Sequence, residues 1–348
     1  MTSPIHRPHL VLSDSAQQVT RDTSFRKAAV ALRDGQDLLV KDHYRTGAEI
    51  LQALQLLMPT PAPDAPFEQR REHGRNYREA SLRLLAPIRN HRVDLTDAGD
   101  IGFLRELYPG QRNFSLPLVT VQELHGAWER YSTGVYLPVL GQSVHPFYGT
   151  YVPTRMVHLE LFGTWLRQFE GARGRAIDVG TGCGVLALML AKGGFQRVLA
   201  TDTNPNAVES VQRELQRLHP TPSIDVKHTD LLGSGTKQVD LVVFNPPWIP
   251  GEAKELLDQA LYFEDNLIER FFEQAAERIT PDGRIVVVFS NLIQLIRPDV
   301  EHPVLAELER GRLRLVQKMQ RKVKPSANKA GSRRKTREKV EVWELARA

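Results

Sequence analysis

One short segment combines residue types that could bind and orient a planar nitrogen. Asn245-Pro246-Pro247-Trp248 directly follows the apolar run VDLVVF, which ends at Phe244. The side-chain oxygen of Asn245 and the backbone carbonyl of Pro246 are both hydrogen-bond acceptors, and the prolines restrict the backbone that carries them. Two converging acceptors suit a planar –NH2 group, and Trp248 offers a flat face for stacking. We therefore take Asn245, Pro246 and Trp248 as candidate catalytic residues.

A second segment is typical of a loop that approaches a ligand closely. Residues 178–184 read D-V-G-T-G-C-G and lie between a strand-like and a helix-like segment. Glycines allow the backbone to turn tightly beside a helix N-terminus, where a ligand can bind. Because residue 185 is Val, the pattern is not the G-x-G-x-x-G dinucleotide fingerprint. The candidate binding residues here are Asp178, Gly180, Gly182 and Gly184.

Acidic residues end the two strands that are predicted next. Asp202 follows Gly182 by twenty residues, and a carboxylate at this position can accept from both hydroxyls of a ribose. Asp230, followed by Leu231, ends the third strand, where a carboxylate can accept from an adenine amino group. Each acid could instead cap a helix or a turn, and for Asp230 alone the two interpretations have equal weight.

The chain from about Val119 onward alternates strand-like and helix-like segments. This rhythm predicts a parallel, doubly wound α/β sheet with helices on both faces. Such sheets bind ligands at the carboxyl ends of their strands, which is where the glycines, the acids and Asn245 fall. The strand-like segments are RAIDVG, RVLATD, SIDVKHTD, VDLVVF and GRIVVVFS.

With these motifs in this order, the chain resembles the class I S-adenosylmethionine-dependent methyltransferases. The resemblance covers roughly Gly141–Ala348 and depends on AIDVGTGCG, VLATDTN, HTDLL and FNPPW. It implies a Rossmann-like, seven-stranded sheet with S-adenosylmethionine as cofactor. It also implies that the glycines contact the methionine part, Asp202 the ribose and Asp230 the adenine. The expected reaction is an in-line transfer of a methyl group to the planar nitrogen held by the N-P-P-W motif.

Further upstream, the chain resembles the release-factor and ribosomal-protein glutamine methyltransferases. The matching segments are Leu137–Arg155 and Leu261–Ala275, together with a helical N-terminal unit. The chain departs from that pattern in two ways: Trp248 replaces the usual Tyr, and the R-P-x-T-E turn here reads Pro153-Thr154-Arg155, without the Glu. Thr154 is either close to the carboxylate of the cofactor or an ordinary turn residue.

Three classes of methyl acceptor remain open. The first is a glutamine amide of a translation protein, the second an exocyclic amine of a nucleic-acid base, and the third a small molecule in a biosynthetic pathway. The whole chain has a net charge of +5, whereas residues 318–339 contain ten Lys or Arg and one acid. We expect this basic hairpin to join the sixth and seventh strands on the cofactor side, where it suits a phosphate backbone or the ribosome. The alternative is a solvated hairpin, and the macromolecular acceptor is favoured.

The remaining sequence gives less specific expectations. Residues 1–20 are polar and aperiodic, which favours disorder, and residues 21–115 are expected to form a smaller, mainly helical domain that recognises the substrate. Helices are predicted over Glu49–Met58 and roughly over Phe67–Ile88, and residues 116–348 form the methyltransferase domain. There is one cysteine, no apolar run of membrane-spanning length, and no histidine spacing suited to a metal, so we expect a cytoplasmic protein without a metal site.

Overall fold

The computed structural model describes residues 5–11, 15–62, 65–251, 262–263, 266–323 and 337–348. The chain divides into two compact units, one of residues His6–Ser132 and one of Met1–Ile5 with Thr133–Ala348. The division therefore falls later than the predicted boundary at residue 115, because the helix Leu118–Thr133 belongs largely to the first unit. No helix among the described residues is long and apolar enough to cross a membrane.

A seven-stranded sheet forms the centre of the second unit. Its strands are β8 (Arg175–Val179), β9 (Arg197–Asp202), β10 (Ile224–His228), β11 (Val239–Phe244), β14 (Ile279–Ser290), β15 (Leu313–Lys322) and β16 (Lys339–Arg347). The order across the sheet is β10-β9-β8-β11-β14-β16-β15, and only β16 runs antiparallel to its neighbours. This arrangement confirms the predicted doubly wound, Rossmann-like sheet, including the antiparallel seventh strand.

Helices cover both faces of this sheet because successive strand residues point to opposite sides. Leu241 and Val243 belong to one apolar core, and Val242 and Phe244 belong to the other. The first core also contains residues of α6 and α7, and the second contains residues of α9 and α11. The helices are α6 (Val157–Gln168), α7 (Val185–Lys192), α8 (Pro205–Leu218), α9 (Leu267–Arg278), α10 (Leu292–Ile296) and α11 (Pro303–Glu309).

Two small strand pairs complete the second unit. The strands β6 (Val135–Leu137) and β7 (Gln142–Val144) form an antiparallel hairpin. The strands β12 (Ile249–Pro250) and β13 (Tyr262–Phe263) pair in parallel just after the N-P-P-W motif. The predicted likeness over Leu261–Ala275 falls partly on residues outside the described ranges.

The first unit combines helices with a five-stranded sheet that the sequence analysis did not predict. Its helices are α1 (Phe25–Arg33), α2 (Tyr44–Leu57), α3 (Phe67–Ser81), α4 (Phe103–Leu107) and α5 (Leu118–Thr133). Its strands are β1 (Gln17–Val19), β2 (Leu38–Val40), β3 (Leu84–Arg89), β4 (Arg92–Val93) and β5 (Asn113–Pro117). The strands pair in the order β1-β2-β3-β4, and β5 also pairs with β3.

Two expectations for this unit differ from the structure. Residues 17–19, within the stretch expected to be disordered, pair in parallel with β2 through the buried Val19. The helix expected over Phe67–Ile88 ends at Ser81, and Leu84–Arg89 forms the strand at the centre of the sheet. Pro87 cannot donate a helical hydrogen bond, and the apolar residues from Leu84 to Ile88 are buried between neighbouring strands.

Candidate functional site

A cleft opens at the carboxyl ends of β8, β9 and β11, all within the second unit. These are adjacent parallel strands, so that residues far apart in sequence meet at one edge of the sheet. The wall of the cleft includes Gly149, Tyr151, Pro153, Gly180, Thr181, Gly182, Cys183, Asp202, Asn204, Asp230, Leu231, Phe244, Asn245, Pro247 and Leu267. The structure thus brings together the glycine loop, both predicted acids and Asn245.

The glycine loop adopts a backbone that other residues would resist. Gly180, Gly182 and Gly184 have φ values of 62°, 54° and 81°, in the left-handed region that favours glycine. A Cβ atom on Gly180 would also lie 3.2 Å from the ring of Phe244. Gly184 precedes α7 directly, so the loop leads from β8 into the N-terminus of that helix, as predicted.

Asp178 ties this loop to the helix that follows. Its Oδ2 accepts from the hydroxyl of Thr181 at 2.7 Å and from the backbone N–H of Ala187 at 2.9 Å. Its Oδ1 is buried and has no hydrogen-bond partner among the described residues. Burial raises the pKa of Asp178 to about 7, despite the two donors, because the charged form is poorly solvated there. Asp178 is fully buried and is not among the residues that line the cleft, so the structure does not bring this predicted binding residue to the cleft surface.

Asp202 is the last residue of β9, at the predicted position. Its Oδ2 accepts from the backbone N–H of Gly182 and its Oδ1 from that of Asn204, each at 2.8 Å. Burial raises the pKa of Asp202, while these two donors and a third backbone N–H act in the opposite direction. Each oxygen keeps a second lone pair, so the carboxylate is already oriented and can still accept from a ligand.

The segment 143–151 lies along α8 and supplies one wall of the cleft. The amide nitrogen of Asn204 donates to the carbonyl of Gly149 at 2.8 Å, and that of Asn206 donates to the carbonyl of Tyr148 at 2.9 Å. Further along the helix, Ser210 Oγ accepts from the N–H of Phe147 at 3.0 Å, and Glu214 accepts from that of His145 at 3.2 Å. These bonds hold Gly149 and Tyr151 beside the glycine loop.

The sequence analysis did not predict this arrangement, although the sequence contains a pattern that indicates it. Asn206, Ser210 and Glu214 recur at every fourth residue and are all buried polar side chains. Such residues on one face of a helix require hydrogen-bond partners. Their spacing alone does not name the partner, which is a loop some sixty residues upstream. Tyr151 was also missed; it lines the cleft, and burial raises the pKa of its phenol.

Asp230 lies two residues beyond the end of β10 and is held by an arginine. Its Oδ2 is 2.7 Å from Nη1 of Arg270, on α9, and both side chains are about half exposed. Leu231, beside it, has a φ of 45°, is buried, and accepts from the Thr201 hydroxyl through its carbonyl at 2.7 Å. Asp230, which is predicted to accept from an adenine, therefore already has a cationic partner. The sequence analysis did not identify that partner, Arg270.

The N-P-P-W motif occupies the opposite end of the cleft. Asn245 follows β11 directly, lines the cleft together with Pro247, and precedes the buried Pro246. The indole Nε1–H of Trp248 donates to Asn245 Oδ1 at 3.2 Å. The indole ring packs edge-to-face on His158, with ring centroids 5.6 Å apart, and contacts both apolar cores. The indole ring, which was predicted to stack on a methyl acceptor, thus contacts His158 and the two apolar cores.

Thr154 is exposed, whereas the preceding Pro153 lines the cleft. The neighbouring Arg155 donates to both carboxylate oxygens of the buried Glu338 at 2.9 and 3.0 Å. This pair joins the turn before α6 to the start of β16. The role of Thr154 toward a cofactor stays a prediction.

Cys183 is buried in the glycine loop, and burial raises the pKa of its thiol to about 12. The thiol is therefore protonated at neutral pH and is a poor nucleophile. Cys183 is thus a small side chain in a tight loop, with no thiol chemistry assigned to it.

The basic hairpin 318–339 is described only at its two ends. Residues 324–336, which contain five of its ten cations, lie outside the described residues. Lys318 contacts Glu341 at 2.8 Å and Arg321 contacts Glu160 at 3.1 Å. Because β15 and β14 both run antiparallel to β16, β15 ends at the same edge of the sheet as the cleft strands, as predicted.

Comparison with known proteins identifies the central part of the chain. Residues 162–299 match the family model of the methyltransferase small domain. A ribosomal protein L11 methyltransferase of Heliobacterium modesticaldum is 31% identical over 146 residues, which are 42% of this chain and 39% of the relative. A putative protein N5-glutamine methyltransferase of Methanocaldococcus jannaschii is 26% identical over 123 residues, or 33% of this chain and 61% of the relative.

A tRNA1(Val) (adenine(37)-N6)-methyltransferase of Glaesserella parasuis is 30% identical over 117 residues, or 31% of this chain and 48% of the relative. The chain thus spans less than two thirds of the length of each of these three relatives.

Proposed function

We propose that the chain is an S-adenosylmethionine-dependent N-methyltransferase that acts in the cytoplasm on a planar nitrogen of a macromolecule, because residues 162–299 match the family model of the methyltransferase small domain. The observation that carries this proposal is the position of Asn245 in the same cleft as Asp202 and the glycine loop. Methyl transfer requires the methyl donor and the acceptor nitrogen to be in contact. The residues proposed to bind the donor and the residue proposed to bind the acceptor line the same cleft.

The residues at the cofactor end fit S-adenosylmethionine. The glycine loop leaves room for a ligand because Gly180, Gly182 and Gly184 carry no Cβ atoms. Asp178, which is buried outside the cleft wall, would support the cofactor indirectly by holding the glycine loop through Thr181 and Ala187. Asp202 presents two oriented oxygens of the kind that accept from ribose hydroxyls. Asp230 and Leu231 would take the adenine, and Thr154 the carboxylate.

The cofactor, when bound, supplies an activated methyl group. The chain supplies position and electrostatics: Asn245 Oδ1 and the Pro246 carbonyl accept the two hydrogens of the acceptor –NH2 group. With both hydrogens held, the nitrogen lone pair is directed into the cleft and away from its conjugated neighbour. The prolines keep these acceptors in place before the reaction begins, which lowers its entropic cost. Transfer by this route would depend on alignment more than on a strong base. The sulfonium would leave as a neutral thioether, and the methylated nitrogen would release one of its two hydrogens as a proton to water.

Two acceptor classes share the required chemistry, a side-chain glutamine amide and an exocyclic base amine. The names of the relatives support both, since one acts on protein glutamine and another on a tRNA adenine. The cationic hairpin 318–339 favours a macromolecule in either case, because ten Lys or Arg attract a phosphate backbone or a ribosomal surface.

The test is the transfer of radiolabelled methyl groups from S-adenosylmethionine into a lysate of cells that lack this protein. Label that is lost to nuclease but survives protease establishes a base amine, and label lost to protease establishes a protein amide. Label in the small-molecule fraction alone would contradict a macromolecular acceptor.

A matched control is the same incubation with Asn245→Ala, which removes the acceptor of the proposed site. Wild-type protein that neither binds S-adenosylmethionine in calorimetry nor labels any fraction would overturn the proposed function itself.

A further inference from the structure

The contacts of Trp248 differ from those of a stacking platform. The cleft wall described above contains Asn245 and Pro247, whereas the indole ring packs on His158 and on the apolar cores on the two faces of the sheet. The indole has a single polar atom, Nε1, and its N–H donates to Asn245 Oδ1 at 3.2 Å. The side chain is thus connected to the proposed reaction through Asn245.

The amide of Asn245 can face the acceptor in two ways with opposite consequences. One side of the group is an oxygen that accepts, and the other is an –NH2 that donates. The terminal torsion of Asn is broad and roughly two-fold, so the side chain itself does not choose between them. A flipped amide would place its –NH2 against the –NH2 of the acceptor, and no hydrogen bond could form.

An indole resolves this ambiguity because its nitrogen can only donate. Trp248 Nε1–H is satisfied by the amide oxygen and would be opposed by the amide –NH2. A tyrosine hydroxyl, which stands at this position in the glutamine methyltransferases that the chain resembles, can both donate and accept. It would therefore tolerate either orientation of the amide.

We infer that Trp248 is a positioning residue, whose indole N–H fixes the oxygen of Asn245 in the orientation that receives the acceptor nitrogen. This inference rests on the proposed function, since it takes Asn245 as the group that binds the acceptor. The second lone pair of the Asn245 oxygen remains free for that purpose.

His158 holds the indole in place. It lies on α6, is buried, and meets the indole at an interplanar angle of 87°. Burial and the nearby Arg155 lower the pKa of His158 to about 4, so its ring is uncharged at neutral pH. An uncharged ring can pack tightly on the indole without a counter-ion, which keeps the N–H directed at Asn245.

The first test observes the indole directly and needs no methyl acceptor. In protein labelled with 15N-tryptophan, the chain gives four indole N–H resonances, and Trp248→Phe identifies one of them. In Asn245→Ala, we expect that resonance to move upfield and to exchange with solvent about tenfold faster. Trp165 and Trp343 donate to Glu344 and Glu341, and their resonances serve as internal controls. An unmoved Trp248 resonance would overturn the inference and leave the proposed function intact.

The second test is a double-mutant cycle on methyl transfer, with RNA and protein fractions of the deletion lysate as acceptors. Trp248→Phe keeps an aromatic ring but removes the N–H, and we expect the rate to fall about tenfold. In an Asn245→Asp background both side-chain oxygens accept, so orientation no longer matters and the same substitution should cost less than about twofold.

Equal losses in the two backgrounds would mean that Trp248 acts by stacking or packing, which contradicts the inference. Absence of transfer by the wild-type protein would instead count against the proposed function, and the indole resonance would still decide the role of Trp248. Binding of S-adenosylmethionine, measured by calorimetry, should change by less than twofold when Trp248→Phe is introduced into either background.

Discussion

The two ends of the cleft differ in how far the main chain supplies their hydrogen bonds. At the cofactor end, main-chain N–H groups of Gly182, Asn204 and Ala187 donate to the carboxylates of Asp202 and Asp178, and the side chains of Thr181 and Arg270 add one donor each to Asp178 and Asp230. At the acceptor end, a side chain orients a side chain, since Trp248 donates to Asn245. Main-chain donors are fixed by the path of the loop, whereas a side-chain donor changes with one substitution. Most hydrogen bonds at the cofactor end are therefore retained when side chains change, whereas a single substitution can alter the acceptor end independently.

The largest effect is expected at the acceptor end. Asn245→Ala removes a preorganised acceptor, and we expect methyl transfer to fall by about 100-fold or more. Cofactor affinity should change by less than about twofold, because Asn245 has no role in orienting Asp178 or Asp202. Radiolabel transfer and calorimetry measure the two quantities. Loss of both together would show that the two ends are not independent.

The next effect concerns the cofactor end. Asp202→Ala removes a buried carboxylate and leaves the N–H groups of Gly182 and Asn204 without it, so cofactor affinity should fall by roughly 30- to 100-fold, as for hydrogen bonds to a charged group. Calorimetric titration with S-adenosylmethionine measures the change. The control is Asp225→Ala, at an exposed position of β10. A similar loss in the control would indicate a general effect of charge instead.

A third prediction concerns stability and pH. The pKa of Asp178 is raised from 3.8 to about 7 in the folded protein, so between these values the folded state keeps a proton that the unfolded state has released. The free energy of unfolding therefore decreases as pH rises through this window, by up to about 4 kcal/mol from this group. Asp178→Asn removes that dependence and should be more stable relative to wild type at pH 8 than at pH 4.5.

Urea unfolding at the two pH values measures this difference. The lowered pKa of His158 gives the opposite slope, with stability lost as pH falls from 6.5 toward about 4, but it is present in both proteins and cancels. The variant should also bind cofactor more weakly, because a neutral amide replaces a carboxylate. If the free energies of unfolding of the variant and the wild type differ by the same amount at both pH values, the raised pKa of Asp178 is contradicted.

The smallest effect is expected at Arg270. An ion pair that is about half exposed contributes at most ~1 kcal/mol, so Arg270→Ala should weaken cofactor binding by about two- to threefold and less in high salt. Arg310→Ala is the matched control, since Arg310 contacts Glu269 on the same helix with similar exposure. A tenfold loss at Arg270 would mean that this side chain contacts the cofactor itself.

The sequence predicted those parts of the site that depend on strand ends and backbone turns. Asp178 is the last residue but one of its strand, Asp202 ends the next strand, Asn245 follows a third, and glycines mark the loop between the first two. The strands β1 and β2 were missed because three residues are too few to show a period. The contacts of Arg270 with Asp230 and of Trp248 with Asn245 depend on side-chain directions in the folded chain, which spacing does not encode.

The hydrogen bonds between segment 143–151 and α8 require these two distant parts of the chain to change together during evolution. Their partners are between 55 and 69 residues apart, yet each buried polar group needs the other. A helix transplanted from a relative with apolar residues at 206, 210 and 214 would leave buried main-chain groups unpaired, at about 1–3 kcal/mol each. Chimeras that exchange this helix should therefore fold only when they exchange the upstream loop as well.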